Sequence, residues 1–296
     1  MNRIKSLDSQ KLLTKLEKVP SILRTQRVRI DFFDRQSIDV DAIVQDSLPG
    51  GSCIGTVVGC HGTPGSHNDF KYILSYLHAY GIRFIGINFP GQGYTPRIII
   101  PDRCKGVALI NPIGVRTHRG IKSKLWMVKC VVWFWETFRI FHFVLRFIFY
   151  AMFKLMRIKV KSGDEAAVCL KLTDNLDLTG QVEYINILNS NKTKVLLAYS
   201  DMDPLIELSV SQHLASLFDN IIYADCPSTE ENVLALDYIS KQFAESDRSF
   251  SVCFEDEGHY LQKYHAKFIA DCIYSMLIAE NSTHENAKNG LKSFFY

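Results

Sequence analysis

Short apolar runs alternate with segments of helical spacing along most of this chain. Residues 54–60 (IGTVVGC) form an apolar, β-branched run that is too short for a helix and reads as a buried strand. Residues 69–80 follow, with Phe70, Ile73, Leu74 and Leu77 on one face, the spacing of a helix packed by that face. Gly81 closes this helix, and Arg83–Asn88 (RFIGIN) is a second buried strand. Strand, helix and strand joined by short links predict a right-handed βαβ unit and therefore a parallel sheet. Ahead of it, residues 27–32 and 38–44 read as short strands, and Leu48-Pro-Gly-Gly-Ser52 as a turn.

The later chain repeats this logic. Gly106–Ile110 (GVALI), residues 194–199 (KVLLAY) and Phe250–Phe254 read as strands, residues 221–224 as a further short one. Helices are expected at 210–218, 232–243 and 263–278, the last of them amphipathic. The large departure is 115–190, expected to be a helical insertion. The resulting division is an N-terminal helical extension (1–24), a core made of 25–114 and 191–280, the insertion (115–190) and a C-terminal tail (281–296).

Composition narrows the class. At 296 residues and 47% hydrophobic content the chain can bury one large core. Its net charge of +3 is too small to suggest a nucleic-acid partner. The eight cysteines are scattered without a CxxC pair and read as reduced, mostly buried thiols, so neither a metal nor a cofactor is implied. The first twenty residues mix Lys and Arg with single Ile and Leu residues and carry no apolar signal-peptide core, so a cytoplasmic location is expected.

Three motifs carry chemistry. His61-Gly-Thr-Pro-Gly65 follows the first buried strand, and its glycines let backbone N–H groups approach a substrate closely. This suits an oxyanion loop made by His61, Gly62 and Thr63. Asn88-Phe-Pro-Gly-Gln-Gly93 follows the next strand, and near the C-terminus Tyr199-Ser-Asp-Met-Asp-Pro204 and Gly258-His259 each follow a late strand. In that order the motifs resemble the α/β-hydrolase superfamily, with 54–93 and 105–122 (KGVALINPIGVRTHRGIK) most similar to an uncharacterised, nematode-expanded branch.

The resemblance implies an α/β fold, a mostly parallel sheet with helices on both faces, and a helical cap at 115–190. It also implies ester or amide hydrolysis of a small hydrophobic substrate by a Ser–His–Asp triad. Asp203 takes the acid position, orienting the imidazole, and His259 that of the general base. The plainer alternatives are an Asp203 that caps the following helix and an incidental Gly-His pair.

The pattern fails at one place. A helix, a central strand, a G-x-S-x-G elbow and a second helix belong between Gly93 and Gly106, which at ordinary lengths takes about 40–55 residues. Only Tyr94 to Lys105 (YTPRIIIPDRCK) is there, and no G-x-S-x-G occurs anywhere in the chain. Gly51-Ser-Cys-Ile-Gly55 matches a cysteine version of the elbow but opens a strand, whereas an elbow must close one. Ser66 reads as the cap of the 69–80 helix. The expectation is an exon-skipped or otherwise shortened hydrolase, a pseudoenzyme with its nucleophile absent and two unpaired strand edges mid-sheet. Residues 98–100 could partly patch that gap.

Residues 125–158 are the most hydrophobic stretch, yet Lys129, Glu136, Arg139, Arg146, Lys154 and Arg157 interrupt any membrane span. From Arg139 onward the polar positions (Arg139, His142, Arg146, Tyr150, Lys154, Arg157) fall on one helical face. The favoured reading is an ordinary cap packed on the core with its cations solvated. The other is a lid that covers a lipid-like substrate or contacts a membrane surface, which would make the protein a non-catalytic, membrane-associated binding module.

Overall fold

The computed structural model describes residues 22–31, 37–62, 65–88, 106–116, 125–155, 160–174, 178–228 and 232–278. Its strands form two four-stranded sheets. The first contains β1 (Ile22–Asp31), β2 (Ser37–Asp46), β3 (Thr56–Cys60) and β4 (Arg83–Asn88) in the order β1-β2-β4-β3. β1–β2 and β2–β4 are antiparallel, and β3–β4 is parallel. The second contains β5 (Gly106–Ile110), β6 (Lys194–Ser200), β7 (Ile222–Cys226) and β8 (Phe250–Phe254) in the order β5-β6-β8-β7, parallel throughout. Among the described residues, β3 and β5 therefore each end a sheet.

The expected βαβ unit is present. A 3₁₀ turn at His67–Phe70 leads into α1 (Lys71–Ala79), whose Ile73, Leu74, Tyr76 and Leu77 are buried. Gly81, at φ +70°, ends the helix: its N–H donates to His78 C=O, and the Ile82 N–H donates to Leu77 C=O. This pair of bonds needs a left-handed residue at the turn, which glycine supplies without steric cost.

Burial explains how β6 organises the second half. Its residues 195–200 are all buried, as in a parallel strand covered on both faces. Leu196 and Ala198 point into a cluster with Leu77 and Phe84 of the first half and with Phe243, Val252, Phe254 and Ile269. One core thus serves both sheets. Val195, Leu197 and Tyr199 alternate to the opposite face. There they meet Ile185 of α5 (Gln181–Ser190) and Leu214 of α6 (Leu208–Ala215). α7 (Asn232–Glu245), the short α8 (Leu261–Tyr264) and the closing helix α9 (266–278) complete the first face.

Several expectations need correction. The strand at 54–60 is not buried on both faces: Val58 is 54% exposed, while Val57 packs on the core beside α1. The expected N-terminal extension (1–24) overlaps β1, which already begins at Ile22, and its remainder lies outside the described residues. The closing helix expected at 263–278 is interrupted at His265. The tail at 281–296, the turn at 89–93, the interval at 94–105 and Cys104 also lie outside the described residues.

The insertion differs most. α2 (Leu125–Thr137) ends before Phe138, a 3₁₀ turn occupies Arg139–Phe141, and α3 (His142–Leu155) runs on from it. Both pack against α4 (Gly163–Asp174) around Val132, Phe149, Phe153 and Ala166, a cluster of their own. α5, at the end of the insertion, instead packs on β6 with Val115.

Of the polar stripe, Arg139, Arg146 and Lys154 are exposed, as expected of solvated cations, while His142 and Tyr150 are half-buried. His142 stacks on Trp135 at a ring distance of 3.8 Å, and Arg146 pairs with Asp164 of α4 at 2.6 Å. Phe143, Val144, Phe147 and Ile148 are exposed as well. Lys154 Nζ lies 4.9 Å from the centre of the Tyr150 ring, and Arg157 lies outside the described residues. No described helix is long and apolar enough to cross a membrane.

Candidate functional site

His61, Asn111, Asp203 and His259 each follow the C-terminal end of a parallel strand, β3, β5, β6 and β8 respectively. That is where open α/β sheets gather their binding groups. Asp203 and His259 meet. His259 Nδ1 lies 2.8 Å from Asp203 Oδ2, with the carboxylate 1% exposed and the imidazole 28% exposed.

Asp203 is held by its other oxygen. Oδ1 accepts the Leu205 N–H at 2.8 Å and the Ile206 N–H at 3.2 Å. The N-cap of α6 is Glu207, so Asp203 forms a local turn and does not cap that helix. One side chain therefore fixes both its own loop and the histidine ring.

Asn111 and Ser200 hold the His259 loop and had not been singled out from sequence. Asn111 Nδ2 donates to His259 C=O at 2.7 Å, and its Oδ1 accepts the Ser200 N–H at 3.1 Å. Ser200 Oγ donates to Gly258 C=O at 2.8 Å. Two successive carbonyls of the loop are thus anchored, while Asp203 anchors the ring. Asn111 adopts φ +44°, a left-handed conformation that Asn tolerates better than most residues. An Asn at a strand end, directly before Pro112, was the available signal.

With Asp203 ionised, Nδ1 carries the proton and Nε2 presents its lone pair. That is the tautomer a general base requires. Among the described residues no hydroxyl or thiol hydrogen-bonds to Nε2.

The glycine loop is described in part. His61 is buried with Nδ1 2.8 Å from Gly62 C=O, Gly62 has open space around it, and Thr63 lies outside the described residues. A Cβ on Gly65 would fall 2.4 Å from Gly62 C=O, so the loop closes tightly. Ser66 accepts the Asn68 N–H while Asp69 accepts the Ser66 N–H, a capping box for the 3₁₀ turn. α8, which follows His259, packs beside that turn and α1.

The cysteine version of the elbow is a turn ahead of β3. Ser52 Oγ accepts the N–H groups of Ile54 and Gly55 and donates to Gly81 C=O at 2.6 Å. Burial pushes the thiols of Cys226 and Cys253 up to about 12 and about 11, which makes them poor nucleophiles at neutral pH.

Comparison with known proteins agrees with this architecture. The profile of the family described as "Alpha/beta hydrolase of unknown function (DUF1057)" matches residues 21–100 and 97–278. The match breaks into two pieces that meet inside the 94–105 interval. The uncharacterized Caenorhabditis elegans protein F35H12.5 is 22% identical over 301 residues, covering 83% of this chain and 84% of that protein. Since 83% of 296 residues is about 246, some 55 aligned positions face no residue of this chain.

Among solved structures, an esterase from Thermogutta terrifontis is 11% identical with a TM-score of 0.47, over 85% of this chain and 98% of its own. Rv0554 from Mycobacterium tuberculosis is 11% identical with a TM-score of 0.48, over 86% and 99%.

Proposed function

Because this chain belongs to the family of α/β-hydrolases of unknown function, we propose that it keeps the acid–base half of a hydrolase site without the nucleophile that half serves. Asp203 and His259 are its acid and base positions, and His61, Gly62 and Thr63 its oxyanion loop. The ancestral reaction is attack of a serine hydroxyl on a hydrophobic ester or amide, with Nε2 of His259 taking the hydroxyl proton. The sequence holds no G-x-S-x-G and, among the described residues, no serine occupies a strand–turn–helix elbow, so the chain forms no acyl-enzyme.

The observation that carries this reading is the twelve-residue interval from Tyr94 to Lys105, in a chain with no G-x-S-x-G. Three further observations support it. Among the described residues β3 and β5 each end a sheet, Val58 of β3 is 54% exposed, and the unmatched positions of the relative have the size of the missing unit. The helical unit α2–α4 then caps the core, as inserted helices do in the resembling enzymes.

The test is hydrolysis of a panel of p-nitrophenyl acyl esters by the chain and by its His259→Ala variant. Equal, background rates are expected. A wild-type rate that falls on replacing His259 would overturn the proposal.

A further inference from the structure

The outer face of α2 and α3 has no partner among the described residues. Trp126 and Trp133 are 65% and 62% exposed, and Phe143 and Phe147 are each 74% exposed. The two helices are joined by an aromatic corner in which Phe138 lies 5.9 Å from Trp133 and 6.5 Å from Phe141, ring to ring. These contacts carry the exposed aromatic surface of α2 into the turn that opens α3. Its opposite side is filled by α4, through Val132, Phe149 and Phe153. Exposed apolar surface of this extent on one element marks an interaction site.

Charge identifies the occupant. Residues 115–161 contain eleven Lys and Arg residues and one acid, Glu136, a net +10. The whole chain carries +3, so the remaining residues carry −7. A second copy docked through the same face would bring two strongly cationic segments together, which is electrostatically unfavourable. An anionic lipid surface is complementary to both the charge and the aromatic face.

Length sets the mode of contact. α3 has 14 residues, about 21 Å at an α-helical rise, shorter than the ~30 Å hydrocarbon core of a bilayer. We propose that α2 and α3 lie in the plane of an anionic membrane surface, inserting Trp126, Trp133, Phe143 and Phe147 among the headgroups. This proposal does not rest on the reading of the Asp203–His259 site.

The chain carries its own reporter, since its three tryptophans, Trp126, Trp133 and Trp135, all lie in α2. The experiment titrates the full chain with phosphatidylcholine vesicles, with and without about one-third phosphatidylserine, and follows tryptophan emission and flotation. A blue shift and flotation are expected with the anionic vesicles, with partitioning about tenfold or more tighter than to neutral ones. Binding should weaken in about 0.5 M salt.

The double variant Phe143→Glu/Phe147→Glu should lose binding about tenfold or more, with unchanged circular dichroism. Leu234→Glu, on an exposed position of α7, should bind as wild type. If the double variant misfolds, Lys154→Glu replaces it and should weaken binding to the anionic vesicles only. The proposal is overturned by no shift with anionic vesicles, or by equal loss in Leu234→Glu. A blue shift that grows with protein concentration alone, alongside a doubled sedimentation mass, would assign the face to a second copy and also overturn it.

Discussion

Asn111, directly after β5, and His259 after β8 are 148 positions apart in sequence, and the Asn111 amide donates to the His259 carbonyl at 2.7 Å. Through this bond, and the companion bond to the Ser200 N–H, the end strand of the second sheet holds the loop that presents the imidazole. Positioning of His259 therefore depends on a residue that touches neither its ring nor Asp203.

Removing that amide should loosen the loop. Asn111→Gly keeps the left-handed backbone accessible but deletes the bonds to Ser200 and His259, and is expected to cost about 1–3 kcal/mol. Asn111→Ala adds about 1 kcal/mol of backbone strain. Chemical denaturation measures both costs. Hydrogen exchange should show the Ser200 amide losing protection in each variant.

Asp203 has a double role that a single substitution should expose. Asp203→Ala leaves the Leu205 and Ile206 N–H groups without their acceptor and frees the His259 ring. A stability loss of about 1–3 kcal/mol is expected. The Nδ1 proton of His259, expected to exchange slowly and give an NMR signal in the wild type, should disappear. Persistence of that proton in the variant would mean that another group holds the ring.

Acid should act on the ion pair that joins β2 to β4. The Arg83 guanidinium, hydrogen-bonded to both Asp46 oxygens, holds the Asp46 carboxyl below its ordinary value. A group depressed in the folded state stabilises above its unfolded pKa, and that contribution is lost as pH falls through the folded value. The wild type should therefore lose stability to urea below about pH 4, more steeply than Asp46→Asn. Urea midpoints at a series of pH values measure the difference.

If the chain is a shortened hydrolase, transcripts spanning the codons for residues 94–105 should include a longer form. The inserted stretch should encode about 40–55 residues with a G-x-S-x-G elbow. One continuous exon with no longer form would count against shortening.

Much of the frame was legible because local pattern and tertiary role coincide there. Gly106–Ile110 and Phe250–Phe254 are apolar runs bounded by polar residues, and the structure has them as strands with those bounds. Asp203 and His259 could be paired in advance because both follow late strands, although the sequence did not reveal that Asp203 also anchors its own turn. β3 has an apolar sequence like that of β6, but its burial depends on neighbours that a local pattern does not contain. In the aromatic segment, periodicity put the cations on a solvent face. Arg139, Arg146 and Lys154 are indeed exposed, but the exposure of Phe143 and Phe147 and the Trp135 ring stacked on His142 are not visible in the spacing of α3. Asn111 was the hardest to see, since its bonds span the whole second half of the fold.

Asp203 and His259 form an intact pair, and the proposal is that no nucleophile stands beside it. It is tested most directly by incubating the purified chain with a fluorophosphonate probe and measuring intact mass, alongside a family member that retains a G-x-S-x-G elbow. An adduct is expected on that relative and none on this chain. An adduct mapped to any serine of this chain, and lost in His259→Ala, would contradict it.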